Sequence, residues 1–421
     1  MSAAAPRLAP PPKPLGVRAL NAAGGALRAL GLPLVRLDEA ALMAEATRRT
    51  GLDDFGDERF REPLQLLLDG FEREAALTLL GRIMVRNDVL RLLENRLRMT
   101  AEHRRHPEIE DGAVTAPLFI VGLPRTGTSI LHELMAQDPA TRVPMSWEVQ
   151  QPWPPPEAAT YETDPRIAAV DRHLAGVDRI LPEFKKIHPM GARLPQECVA
   201  LTAHDFATLI FHTTHRVPSY QAWLEAADLR WVYASHRRQL QYLQWKMPAE
   251  RWVLKSPGHL WALDALVAVY PDARIVQTHR DPLKVTASLT SLVTVLRSLA
   301  SDTIDPIEIA EDWSARLARG LETTMRVRAT QALAPSQVFD VHFGELMADP
   351  IAMVRRIYGH FGMTLSSEAA ARMQRFLADN PSDKHGAHRY TLAAAGLDPD
   401  TERRRYAAYQ SHFGIASEMV A

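Results

Sequence analysis

From residue 118 onward, short apolar runs that stop at glycine or proline alternate with longer stretches of helical period. "PLFIVG" (117–122) leads through "LPRTGTS" into "SILHELMAQD", whose apolar residues recur at helical spacing. "RWVLKSPG" (251–258) leads into "HLWALDALVAVY", and "ARIVQTHRDP" (273–282) into "LKVTASLTSLVTVLRSL". "QVFDVHFGEL" (337–346) supplies a fourth strand. Strands that alternate with helices predict a parallel sheet with crossover helices.

Ahead of this pattern the chain reads as helical. Asp38 is an N-cap for "EAALMAEATRRT", with Gly51 as the stop. A further helix is expected from about Glu72 to Arg105, where Leu79, Ile83, Leu90, Leu93 and Leu97 recur at helical spacing. These segments form an extension over residues 1–112, whose opening "MSAAAPRLAPPPKP" reads as disordered from its Pro and Ala content. In "GVRALNAAGGALRALGLPLVRL", Arg18, Arg28 and Arg36 interrupt the apolar residues and argue against a secretory segment. It reads as a helix docking on its own domain, with a basic amphipathic helix on a membrane surface as the second reading. Residues 113–421 then form an α/β domain. A Pro-, His- and Trp-rich stretch, about 152–248, is a mostly helical insertion after its first strand–helix unit.

Composition narrows the function classes. The 49 basic and 50 acidic residues nearly cancel, so bulk charge points to no nucleic-acid partner. One cysteine, Cys198, excludes an intrachain disulfide, suits a reducing compartment and leads to a cytoplasmic assignment. No uninterrupted apolar run reaches the roughly 18 to 20 residues of a membrane span.

The candidate chemistry gathers at strand ends. Gly122 and Gly127 have the spacing of a phosphate loop, but Thr128 stands where a triphosphate loop has lysine, and the cation comes earlier, at Arg125. Lys255 and Arg280 follow two further strands. Three cations on the carboxyl rim of a parallel sheet make an anion site. Backbone N–H groups and the helix start after Gly127 strengthen it, as do the hydroxyls of Thr126, Thr128 and Ser129. Without the loop lysine, and with Asp340 as the one acidic residue in a late strand, a kinase or NTPase is the lesser reading.

These residues resemble sulfotransferases that use 3′-phosphoadenosine 5′-phosphosulfate (PAPS), in particular the bacterial branch with a helical N-terminal extension. "LPRTGTS" resembles the 5′-phosphosulfate loop in its arginine version, as in tyrosylprotein sulfotransferases. "RDPLKVTAS" resembles the 3′-phosphate motif, with Ser288 eight residues after Arg280 (288 − 280 = 8). "VLKSP" resembles the intervening lysine motif, with Lys255 twenty-five residues before Arg280 (280 − 255 = 25). "VHFGELMADP" resembles the Tyr-Glu-Asp-Leu element with Phe343 for tyrosine, and "KHGAHRY" resembles the C-terminal basic-glycine segment, with Lys384, His385 and Gly386. The resemblance spans roughly Pro117 to the C-terminus. It implies a P-loop-type α/β fold, PAPS as co-substrate with 3′-phosphoadenosine 5′-phosphate (PAP) as product, and a small or lipid-like acceptor hydroxyl or amine. No metal is required.

The resemblance also implies roles. Arg125 would hold the 5′-phosphate and leaving oxygen, Lys255 the moving sulfuryl group, and Arg280 with Ser288 the 3′-phosphate. The base that takes the acceptor proton must lie within hydrogen-bond reach. Glu148 in "MSWEVQQP" comes first, His259 second and Glu197 in "LPQEC" third. The lysine motif carries Pro257 where the cytosolic enzymes have their histidine. Should none of these act, the chain would be a non-catalytic nucleotide-binding module. His212 and His215 in "HTTH" have a metal-compatible spacing but no further ligand nearby in sequence. Cys198 reads as a buried thiol and Arg403–Arg405 as a solvated face. Trp147, Trp153, Trp223, Trp231 and Trp245 read as core packing first and acceptor-pocket lining second.

Overall fold

Leu118–Gly122 (β1) is buried along its whole length, the mark of a parallel strand covered on both faces. In the computed structural model, which describes residues 8–32, 34–180, 190–330, 332–381 and 395–419, β1 lies at the middle of a five-stranded sheet. The other strands are Thr141–Arg142 (β2), Arg251–Lys255 (β3), Arg274–His279 (β4) and Val338–His342 (β5), in the order β2-β3-β1-β4-β5, all pairings parallel. Four of these are the strands expected from the apolar runs. β2, two residues long, is too short to show periodicity.

Alternation along the strands gives the sheet two covered faces. Phe119, Val121, Trp252, Leu254 and Ile275 pack against the Arg230–Gln244, Leu263–Val269, Pro282–Ala300 and Pro306–Ala329 helices. Leu118, Ile120, Val253, Val276 and Val341 pack against Thr128–Met135, Pro350–His360 and Ser367–Asp379. After β1 the chain moves out to β2 and back to β3, then crosses to β4 on the other side. The carboxyl end of β1 is therefore the topological switch point, where open α/β sheets bind ligands.

Asp38 accepts from the Ala41 N–H at 2.8 Å and Gly51 ends the Glu39–Thr50 helix at φ +70°, as expected. The helix expected from Glu72 to Arg105 is in fact two. Arg61–Arg73 ends, the chain turns through Ala76 at φ +46°, and Thr78 caps Leu79–Arg105 by accepting from the Gly81 N–H at 3.1 Å. The continuous leucine pattern across "EAALTLL" hides that cap. The opening disorder expected to Pro14 is also corrected in part. Residues 1–7 lie outside the described residues, but Lys13 donates to the Ser301 carbonyl at 3.0 Å and pairs with Asp302 at 2.6 Å. The Pro282–Ala300 helix is long and apolar enough to cross a membrane, which Lys284 and its hydroxyl residues mask in sequence. With 78% of its apolar window buried it is a core helix.

The extension does not close its own core. Phe206, Phe211, Val217 and Tyr220 from the insertion pack among Phe55, Phe60, Leu64, Phe71 and Leu93. Arg96 fastens the two polar layers: it donates to Asp205 at 2.6 Å and to the Phe55 and Asp57 carbonyls at 2.7 and 2.6 Å, beneath the Phe60 ring. Both partners are buried. Removing one member of such a pair strands the other, so Arg96→Met is expected to cost about 3–5 kcal/mol in urea unfolding. A loss below about 1 kcal/mol would show that this seam does not hold the two segments together.

Candidate active site

The loop after β1 is built from residues that tolerate its shape. Gly122 pairs with Thr278 of β4, and a Cβ there would collide with the Thr278 hydroxyl. Gly127 sits at φ +90°, and a Cβ there would stand 2.7 Å from Leu346. Arg125 also takes the left-handed region, at φ +66°, which costs a non-glycine residue energy and marks a conformation held by its surroundings. Thr126 does that holding. Its hydroxyl is buried, donates to the Leu123 carbonyl at 2.6 Å and lies 2.6 Å from the Thr278 hydroxyl. So Thr126 shapes the loop, and its hydroxyl is not the free donor expected from sequence.

The loop ends on the N-terminus of Thr128–Met135, where unpaired N–H groups favour an anion. Thr128 is buried and Ser129 exposed at that start. The Arg125 side chain is exposed and has no ion pair among the described residues. Lys255, at the end of β3, is 3% exposed and reaches across β1: Nζ donates to Ser129 Oγ at 3.2 Å and pairs with Glu197, the residue preceding the Cys198–Thr202 helix. Glu133, one turn past Ser129 on the same helix face, lies near enough for the Lys255 charge to oppose the burial that pushes its carboxyl up. Sequence reading missed Glu133. Its i, i+4 spacing from Ser129 was the available signal.

Arg280 follows β4 and binds the loop from the other side. It donates to the Arg125 carbonyl at 3.0 Å and lies 3.9 Å above the Phe343 ring centroid. Phe343 in turn lines the space beside Gly127. Phe343 therefore stacks on an arginine. Ser288 is buried two turns into the helix that begins after Asp281. The Arg280 guanidinium is held by both oxygens of Glu418, at 2.8 and 2.9 Å, and that hydrogen bonding pulls the Glu418 carboxyl below its usual range. Asp281 accepts from the Glu418 N–H at 2.7 Å and from Arg403 at 2.8 Å, and Arg403 also grips the Glu418 carbonyl at 3.0 Å. One member of the arginine run thus anchors the strap formed by residues 415–419 instead of forming a solvated face. Lys384, His385 and Gly386 lie outside the described residues.

Two of the three base candidates are corrected. Glu148 is fully buried: one oxygen pairs with Arg142 and the other accepts the Met145 N–H at 2.9 Å. Arg142 is itself fixed by the Leu243 and Met247 carbonyls. Glu148 is thus a structural clamp beneath β2, with no oxygen open to an acceptor. His259 lies on the wrong side of the sheet. Its ring packs edge-on to Phe119 and bonds Tyr233 at 2.7 Å. Lys255 shares its face with Val253, opposite that of Phe119 and Leu254. Burial holds the His259 ring well below the usual histidine range. Glu197 alone of the three touches the motif lysine.

The remaining features resolve into packing. His212 bonds Asp312 at 2.7 Å and accepts the Val217 N–H at 3.3 Å, while His215 bonds Thr214 and packs against Phe71. The two rings do not converge. Burial pushes the Cys198 thiol up to about 12, which leaves it inert. Asp340 is taken by Arg328 at 2.6 and 2.8 Å and by His279 at 2.8 Å. Trp147 packs under Arg166, Trp231 under Arg59 and Trp245 against His106, so these indoles line no common pocket.

Known proteins are similar to this chain. The model of the sulfotransferase family matches residues 117–367. The sulfotransferase STF1 of Mycobacterium tuberculosis H37Rv is 36% identical, with a TM-score of 0.79 over 88% of this chain and 98% of that one. The sulfotransferase STF9 of Mycobacterium avium is 32% identical, with a TM-score of 0.83 over 90% and 97%. The omega-hydroxy-beta-dihydromenaquinone-9 sulfotransferase Stf3 of Mycobacterium bovis is 24% identical over 295 residues, which are 66% of this chain and 70% of that protein.

Proposed function

The chain belongs to the sulfotransferase family, and from that premise we propose that it transfers a sulfuryl group from PAPS to a hydroxyl of a lipid-like acceptor. The observation that carries this reading is the Ser129–Lys255–Glu197 contact beside the glycine-cornered loop. It sets an anion cradle, a cation and a carboxylate side by side at the switch point. The name of the Mycobacterium bovis relative, which specifies a hydroxylated dihydromenaquinone, supports the acceptor class.

The roles follow from charge. The loop N–H groups, Thr128 and Arg125 bind the 5′-phosphate. Lys255 and Ser129 face the sulfuryl group. As the acceptor oxygen bonds to sulfur, the bond from sulfur to the bridging oxygen breaks and PAP departs with that oxygen on its 5′-phosphate. Negative charge grows on the bridging oxygen, where Arg125 and Lys255 stabilise it. The acceptor proton passes to the Glu197 carboxylate, which Lys255 holds in place. Arg280 and Ser288 bind the 3′-phosphate and separate this donor from simple adenylates.

The test is ligand-induced stabilisation. PAP at a hundred times its Kd is expected to add about 2.7 kcal/mol to unfolding free energy, read as a rise in Tm, and AMP at the same concentration much less. Arg280→Ala is expected to bring PAP down to the level of AMP. Equal stabilisation by PAP and AMP in the unmodified protein would sink the assignment, as would a larger, Mg²⁺-dependent effect of ATP.

A further inference from the structure

Eight large hydrophobic side chains stand exposed among the described residues, and five lie within twenty positions of one another: Leu15, Leu20, Leu30, Leu32 and Leu34, from 39% to 79% exposed. They belong to the Leu15–Ala29 helix and the turn that follows it. The helix already has an inner face. Asn21 is buried and accepts the Leu80 N–H at 3.2 Å, and Gly24 lies against Leu79. What remains outside is not the usual polar face of a surface helix. Exposed alanines at 19, 22, 23, 26 and 29 fill the surface between the leucines.

The charge this segment carries has one sign, and the nearby acids are engaged: Asp302 by Lys13 and Glu72 by Arg82. From Met1 to Leu37 the sequence carries Arg7, Lys13, Arg18, Arg28 and Arg36 and no Asp or Glu. Lys13 is spent on Asp302, but Arg18, Arg28 and Arg36 are exposed and make no ion pair among the described residues. An apolar face of this size marks a contact surface, and free arginines around it select an anionic partner. A second copy of the chain is the weaker fit: the segment offers a partner copy's three unpaired arginines no acid of its own.

We propose that the outward face of the Leu15–Ala29 helix, with residues 30–36, docks on an anionic lipid bilayer. The leucines enter the headgroup–acyl boundary and the arginines meet the lipid phosphates. The surface lies beside Ser301, to which Lys13 donates, at the far end of the Pro282–Ala300 helix from Arg280. Nineteen helical residues separate the two ends by roughly 28 Å. The nucleotide site therefore lies apart from the docking face, and changes in that face leave nucleotide binding alone.

The experiment is co-sedimentation of the full chain with vesicles of phosphatidylcholine, alone or with phosphatidylglycerol. Binding is expected with the anionic vesicles and to weaken as salt rises. Leu15→Ser combined with Leu30→Ser and Leu32→Ser is expected to lower the partition coefficient on the order of tenfold or more. Arg18→Gln, Arg28→Gln and Arg36→Gln should remove the preference for phosphatidylglycerol, on the order of fivefold per arginine. PAP-induced stabilisation of both variants, expected unchanged, shows that they fold and keeps this test apart from that of the donor site. Equal binding to both vesicle types, no binding to either, or a dimer in solution that the leucine changes abolish would each overturn the proposal.

Discussion

Glu197→Gln is expected to lower kcat for sulfuryl transfer about 10²- to 10⁴-fold while the Kd for PAP stays unchanged. The amide keeps the size of the carboxylate and its hydrogen bond to Lys255 but cannot take a proton. The loss therefore appears in the chemical step, read as transfer of labelled sulfate from PAPS to a hydroxylated dihydromenaquinone analogue, a probe of the acceptor class proposed above. Glu148→Gln gives the contrast. It unbalances the buried pair with Arg142, so it is expected to cost roughly 3–5 kcal/mol of stability and to leave kcat per folded molecule intact. If Glu148→Gln or Glu133→Gln abolishes turnover and Glu197→Gln does not, the assignment of the base is wrong.

The second large effect is acid lability. His132, His204 and His236 are wholly enclosed, and burial holds each at about 3. In the unfolded chain a histidine titrates near 6.5. Below that value the unfolded state takes up protons that the folded state refuses, so stability falls with pH until the folded values are reached near 3. Each ring contributes about 1.4 kcal/mol per pH unit, or roughly 4 kcal/mol for the three between pH 7.5 and 5.5. That is a large share of the roughly 5–15 kcal/mol typical of a folded domain. Urea unfolding across this range should show the midpoint dropping steadily. A flat profile would mean that these rings protonate in place.

How much was legible in the sequence depended on how local each feature is. β1, β3, β4 and β5 announced themselves because each is a short β-branched or apolar stretch that stops at a turn or loop before a run of helical period. The candidate anion cradle was legible for a related reason: Gly122, Arg125, Lys255 and Arg280 each lie at or just past the carboxyl end of a strand, so the parallel topology brings them to one rim. The proposed base was legible only as the third of three candidates. Glu197 comes from the insertion, 58 positions before Lys255, and only the docking of the Cys198–Thr202 helix on β3 joins them. Glu148 and His259 sat closer to the motifs in sequence. A clamp under Arg142 and the opposite face of the sheet remove them, and neither leaves a trace in spacing. The Thr78 cap failed to register because leucines on both sides kept the helical period running through it.

The grip of Glu418 on Arg280 changes what donor capture means. The strap is a tethered rival for the arginine, covalently present at an effective concentration in the millimolar range typical of short linkers. On the proposed function, loading PAPS would exchange one anion for another, and its affinity would be the difference between two contacts with the same guanidinium. After each turnover the rival is still at hand. If Arg280 binds the 3′-phosphate as proposed, the return of Glu418 to it would speed the departure of PAP, and product release is the step that limits many enzymes.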